Sequence, residues 1–234
     1  MSQPLAGKPL RGLIIAIDGP AAAGKSTLAK RLARELNYVY VDTGAMYRAL
    51  AWRVMEEGID PGDEKELGRI LQQMRIRLVE HAGQLRVLLN EVDVTEQIRA
   101  PEVSQMASKV STLKVVRDRM VELQRAMGSQ GGVVAEGRDI GTVVFPVADV
   151  KIYLDASPEE RARRRFAELR SQGKQVTLEE TLEEMKERDR RDQERAVAPL
   201  RKAENALVVD SSRLGAEAVV EQVMREIKNK LRAI

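Results

Sequence analysis

No cysteine occurs anywhere in the chain, which excludes disulfides, thiol catalysis and cysteine-ligated metal sites. A single histidine, His81, leaves no His-rich zinc site. Aromatic residues are scarce, with one Trp, four Tyr and two Phe among 234 residues, so aliphatic side chains must fill the core. No apolar run approaches the roughly 20 residues that cross a bilayer. Residues 1–11 carry Pro, Gly and two basic residues but no apolar stretch of the kind a signal peptide needs. These absences lead us to expect a soluble, cytoplasmic protein that does not engage a membrane. The net charge of +3 is small, and with so few aromatics it gives no reason to expect a nucleic-acid partner.

What is present is unevenly placed. Arg161, Arg163, Arg164 and Arg165 form one basic cluster, and Arg188, Arg190, Arg191 and Arg195 form another. Taken alone, such runs are ordinarily solvated helix faces. The length fits one domain with a small insertion. Short β-branched runs at Leu13–Asp18, Tyr38–Asp42, Gly132–Glu136, Val150–Asp155 and Ala206–Asp210 read as strands. Helical patterns occupy Ser26–Leu36, Ala45–Glu57, Val115–Met127 and Ala216–Arg232, and a long charged helical region follows Asp155. Three further β-prone runs, Arg75–Val79, Leu85–Leu89 and Glu91–Val94, read as a small antiparallel meander inserted in the chain, with His81 in a turn between strands. The alternation predicts an α/β fold with a parallel sheet covered on both faces. Ligands of such sheets bind beyond the carboxyl ends of the strands.

Gly19-Pro20-Ala21-Ala22-Ala23-Gly24-Lys25-Ser26 matches G-x-x-x-x-G-K-[ST] between a predicted strand and a predicted helix. Small residues let backbone N–H groups turn toward phosphate oxygens, and the following helix adds its partial positive charge. In this motif Lys25 reaches the β- and γ-phosphates and Ser26 ligates Mg²⁺, with Thr27 continuing the ATP-binding stretch. The motif predicts nucleoside triphosphate binding without saying where the phosphate goes. The D-x-x-G and N-K-x-D segments usual in GTPase switches are absent.

Asp42-Thr-Gly-Ala-Met-Tyr-Arg48, Glu136-Gly-Arg-Asp-Ile-Gly-Thr142, Glu187-Arg-Asp-Arg-Arg-Asp192 and Arg195-Ala-Val-Ala-Pro199 narrow the choice. With the phosphate loop, these segments resemble the bacterial cytidylate kinases, from about Leu13 to about Arg232, inserted meander included. The resemblance implies transfer of the γ-phosphoryl group of ATP to CMP and dCMP. It also implies a P-loop three-layer fold with a five-stranded parallel sheet of order 2-3-1-4-5. The core would be residues 13–68, 100–156 and 196–234, the monophosphate-binding insertion 69–99, and a mobile lid 157–195. The acceptor site would comprise Thr43, Tyr47, Arg48, Ser108, Arg117, Arg138, Asp139, Arg188 and Asp192. Many relatives carry Ser where Thr43 stands, a departure that keeps the hydroxyl. UMP, AMP or a non-nucleotide such as shikimate are the competing acceptors, and the insertion and the two motifs after the strands favour cytidylate.

The residues suit that chemistry. A dianionic acceptor beside a polyanion needs several cations, and the Arg fork fits phosphate oxygens best. Cytosine offers an amino donor and two acceptors, so its reader needs a carboxylate beside an Arg or a hydroxyl. Asp139 next to Arg138 is one such pair and Asp192 with Arg188 another. At helical spacing Arg188, Asp192 and Arg195 would share one face. So would Arg161, Arg164 and Arg165, and spacing does not decide which of these reaches the phosphates. Lys25, Arg161, Arg164 and Arg188 are the candidate catalytic cations. An already ionised acceptor phosphate needs no general base, and a lid and insertion moving against one core fit a monomer.

Overall fold

The computed structural model describes residues 12–232; the signal-peptide reading of residues 1–11 lies outside them. β1 (Ile14–Asp18) leads through the glycine-rich loop into α1 (Lys25–Leu36), and β2 (Val39–Asp42) runs directly into α2 (Thr43–Glu56). Next come α3 (Glu64–Gln73), β3 (Ile76–His81), β4 (Gln84–Leu89), β5 (Val92–Asp93), a 3₁₀ turn at Gln97–Arg99, α4 (Pro101–Val110) and α5 (Lys114–Met127). β6 (Val133–Gly137) is followed by a π-helical turn at Ile140–Val144, then β7 (Val150–Asp155), α6 (Pro158–Ser171), α7 (Leu178–Glu194), β8 (Leu207–Asp210) and α8 (Ala216–Arg232).

Five strands form a parallel sheet ordered β2-β6-β1-β7-β8, and β3-β4-β5 form a separate antiparallel sheet. Numbered among themselves, the five parallel strands run 2-3-1-4-5, the order the resemblance implies. The pleat sorts the central side chains between two cores. Ile14, Ala16, Val133 and Ala135 face one, packed beneath α2, α4 and α5. Ile15, Ile17, Val134 and Ile152 face the other, against α1 and α8. A strand buried on both faces reads as an unbroken apolar run, and β1 does.

Several expectations are corrected. α3 and α4 are additional helices: Asp63 caps α3 by accepting from the Lys65 and Glu66 amides, and Pro101 opens α4. The boundary expected at residue 69 falls inside α3. His81 ends β3 opposite Gln84, and the turn itself is Ala82-Gly83. The long charged region is two helices packed on each other. α6 ends before Gly173, whose φ of +76 suits glycine. α7 begins with a reciprocal capping box between Thr177 and Glu180. Arg195 lies just beyond α7 with extended backbone (φ −56, ψ 139), so it does not share a helical face with Arg188 and Asp192.

Candidate active site

The carboxyl ends of β1, β2 and β6 open into one cleft of about 650 Å³, walled also by α4, α6, α7 and the edge of the small sheet. One wall is the loop after β1. Gly19 packs so closely on β7 that a Cβ there would stand 1.9 Å from the Leu154 carbonyl oxygen. Among the described residues the amides of Ala21, Ala22 and Gly24 donate to no protein acceptor. Lys25 Nζ folds back on the Pro20 carbonyl at 2.5 Å. Burial, with Arg138 nearby, pushes the Lys25 ammonium down to about 7. Across from it stands Glu136, which accepts from the Tyr40 hydroxyl and is raised above the usual carboxylate range by burial and by Asp42.

The opposite wall is rich in arginine. Arg117 is almost fully enclosed; it pairs with Asp139, donates to the Ser111 carbonyl at 3.2 Å and lies 5.7 Å from the centre of the Tyr47 ring. Arg195 reaches the other oxygen of Asp139 at 3.4 Å. Arg138 holds Asp192 at 2.8 Å. Burial alone would raise Asp192, but Arg138 and Arg188 outweigh it and hold the carboxyl low. Arg48 pairs with Asp42 at 3.3 Å. Thr43 donates to the Glu136 carbonyl at 2.6 Å, and Ser108 accepts from Arg191 at 3.1 Å.

Arg188 is different. Among the described residues its side chain makes no ion pair or hydrogen bond, and its Nε is fully enclosed without a partner. Burial, with Arg138 beside it, lowers it to about 10, so it remains charged at neutral pH. The Tyr47 hydroxyl is likewise enclosed and unpartnered. Buried polar groups normally have partners, so an unpaired cation and a free hydroxyl in one arginine-lined cleft suit an anionic ligand with polar edges.

The full span of the chain agrees with this geometry. The family model for cytidylate kinase matches residues 15–229. The chain belongs to the cytidylate kinase family. A cytidylate kinase of Syntrophotalea carbinolica is 49% identical over 220 residues, covering 94% of each chain. One from Pelotomaculum thermopropionicum is 51% identical over 214 residues, covering 91% of this chain and 95% of its own. Among solved structures, an uncharacterised protein from Eubacterium ventriosum shares the fold alone, at a TM-score of 0.50 and 12% identity over 92% of this chain and 98% of its own.

Of the residues singled out for this family's chemistry, Ala21, Ala22, Gly24, Lys25, Ser26 and Thr27 line the cleft, as do all nine acceptor-side residues and Arg164. Gly19, Pro20, Ala23 and Arg161 do not. Arg161 is buried behind the phosphate loop, holding Asp189 at 2.6 Å and donating to the carbonyls of Ala156 (2.9 Å) and Ala21 (3.3 Å). Arg164 is tied to Ser211 through its hydroxyl (3.0 Å) and carbonyl (2.6 Å). The two carboxylates are held from elsewhere in the chain, Asp139 by Arg117 and Arg195 and Asp192 by Arg138. Sequence reasoning left Glu136 and Arg191 out of the site. Both stood inside recognised motifs, Glu136 at the head of Glu136–Thr142 and Arg191 within Glu187–Asp192.

Proposed function

We propose that the protein transfers the γ-phosphoryl group of ATP to CMP and dCMP, giving CDP or dCDP and ADP. The observation that carries this reading is a single cleft with a phosphate loop on one wall and the unpaired Arg188 on the other. The triphosphate lies along Ala21–Thr27, its oxygens met by the free loop amides and by Lys25. The acceptor occupies the wall formed by Thr43, Tyr47, Arg48, Ser108, Arg117, Arg138, Asp139, Arg188 and Asp192. An acceptor phosphate oxygen attacks the γ-phosphorus as its bond to the bridging β-oxygen breaks. The acceptor is already ionised, so no base takes a proton. Positioning and charge stabilisation carry the catalysis. Arg188 meets the charge shared by the two phosphates, Arg164 faces the donor side, and Arg161 acts through the loop backbone it holds.

The donor set suits Mg²⁺. Ser26 offers a hard hydroxyl oxygen in the cleft, and the described residues contain no cluster of three His, Cys, Asp or Glu, which fits an ion that keeps waters and takes phosphate oxygens. When bound, Mg²⁺ would offset charge on the β- and γ-oxygens. The segment from the end of α3 to residue 99 forms the acceptor-side insertion and 157–195 the lid, whose closure excludes water. We place the enzyme in pyrimidine nucleotide metabolism, as a cytoplasmic monomer with nucleotides as its partners and no nucleic acid or membrane.

No described helix is long and apolar enough to cross a membrane. The test is ADP release with ATP, Mg²⁺ and, singly, CMP, dCMP, UMP, AMP, GMP and dTMP. Turnover with CMP and dCMP well above the rest is expected. A clear preference for another monophosphate would discard the assignment of the acceptor wall, and no turnover with any would overturn the reading.

A further inference from the structure

The Asp18 carboxylate is buried, with 3% of the residue exposed, at the end of β1 and directly before the phosphate loop. Its two oxygens accept from the backbone amides of Ile140 and Gly141, each at 2.7 Å. These amides open the π-helical turn after β6, and such terminal N–H groups need an acceptor. The residue in the capping position is Asp139, a type that ordinarily supplies that acceptor itself. Here it makes no such bond, because its carboxylate is committed to Arg117 and Arg195 in the cleft. β1 and β6 are paired with Asp18 opposite Gly137, so the neighbouring strand delivers the missing cap. The π turn is thereby held by one strand while its own first carboxylate is released to the acceptor wall.

We propose that Asp18 is a positioning residue for phosphoryl transfer, fixing the Arg138–Asp139 loop to the strand that carries the phosphate loop. This rests on the kinase reading above. Asp18 does not line the cleft. It acts by satisfying the turn from outside, so that Asp139 is not drawn back to cap it and Arg117 and Arg195 keep their place. Without Asp18 the Gly141 amide is left to the residue in the capping position, Asp139. The acceptor wall would then lose its buried carboxylate while the phosphate loop kept its own geometry.

Two substitutions test this by different routes. Asp18→Asn leaves one acceptor oxygen for two amides and puts an NH₂ group against the other. Gly141→Ala leaves every charge in place but sets a Cβ 3.3 Å from Asp18 Oδ2, 3.3 Å from Ala203 Cβ and 3.4 Å from Lys151 Cδ, so Asp18 and the turn must give way to each other by a few tenths of an ångström. Each purified variant is compared with the wild type in thermal unfolding and in KM for CMP and for ATP. We expect a rise of about tenfold in the KM for CMP, the scale of one lost buried hydrogen bond, with the KM for ATP within about twofold. If Asp18→Asn fails to fold, Gly141→Ala decides alone. Unchanged CMP kinetics in a folded variant, or equal losses for CMP and ATP, would overturn the positioning role. A wild-type protein that phosphorylates no monophosphate would overturn the kinase reading instead, a result separable from either variant's behaviour.

Discussion

Lys25 and Arg188 are both cations that burial works against, and they answer it differently. Arg188 stays charged and unpaired, so it is held ready for an anion at the cost of desolvation. Replacing it with Ala should lower kcat by about 10²–10³-fold, the scale seen when one charge-stabilising donor is removed, with the fold retained because Asp192 keeps its ion pair with Arg138. A change in kcat of less than about threefold would remove Arg188 from the transfer step. Lys25 carries a pH signature. Its folded-state pKa is lowered to about 7, so in the free protein it sheds its proton as pH rises through that value. A bound polyphosphate favours the ammonium and draws the proton back. Binding of ATP above pH 7 should therefore take up a proton, and affinity should fall as pH rises, by up to about tenfold per unit. Calorimetric titration at about pH 8.5 in two buffers of different ionisation enthalpy measures the uptake directly. Zero uptake would show that Lys25 is already protonated in the free cleft.

Elements were legible where burial dictates composition and obscure where charge does. β1 and β6 are buried on both faces, and their apolar runs announce them. The antiparallel β3–β4 pair shows itself by short β-prone runs around Ala82-Gly83. The helices α6 and α7 are different: their exposed faces are so rich in Arg and Glu that the apolar spacing is faint, and the break between them passes unnoticed although Gly173 and the Thr177–Glu180 box mark it. That box is testable. Thr177→Ala removes an acceptor for the Glu180 amide and should cost about 1 kcal/mol in denaturant unfolding, with Thr177→Ser restoring most of it. No measurable loss would mean that packing of α7 on α6 alone fixes its start. The π turn at Ile140–Val144 left no local signal, since its cap comes from Asp18, 122 residues earlier in the chain. The Arg138–Asp192 pairing, 54 residues apart, was hidden for the same reason: motifs named residues that line the cleft but not who holds whom.

For the whole molecule, the topology explains why two anions can be brought together. The parallel sheet sends the ends of β1, β2 and β6 to one edge, so that the phosphate loop, Asp42 and the Arg138–Asp139 loop face one cleft. α4 and the small antiparallel sheet close one side, and α6 with α7 the other, bringing Arg164, Arg165 and Arg188 over the gap. On the proposed reading the walls divide two tasks, the loop backbone and Lys25 taking a triphosphate and the guanidinium groups a monophosphate. The central claim is that phosphoryl passes directly between them. The most direct measurement is to supply ATP labelled in its γ-phosphate together with CMP and Mg²⁺, and to separate the products. The account predicts label in the β-phosphate of CDP with little inorganic phosphate; label released chiefly as inorganic phosphate, with unlabelled CMP recovered, would contradict it.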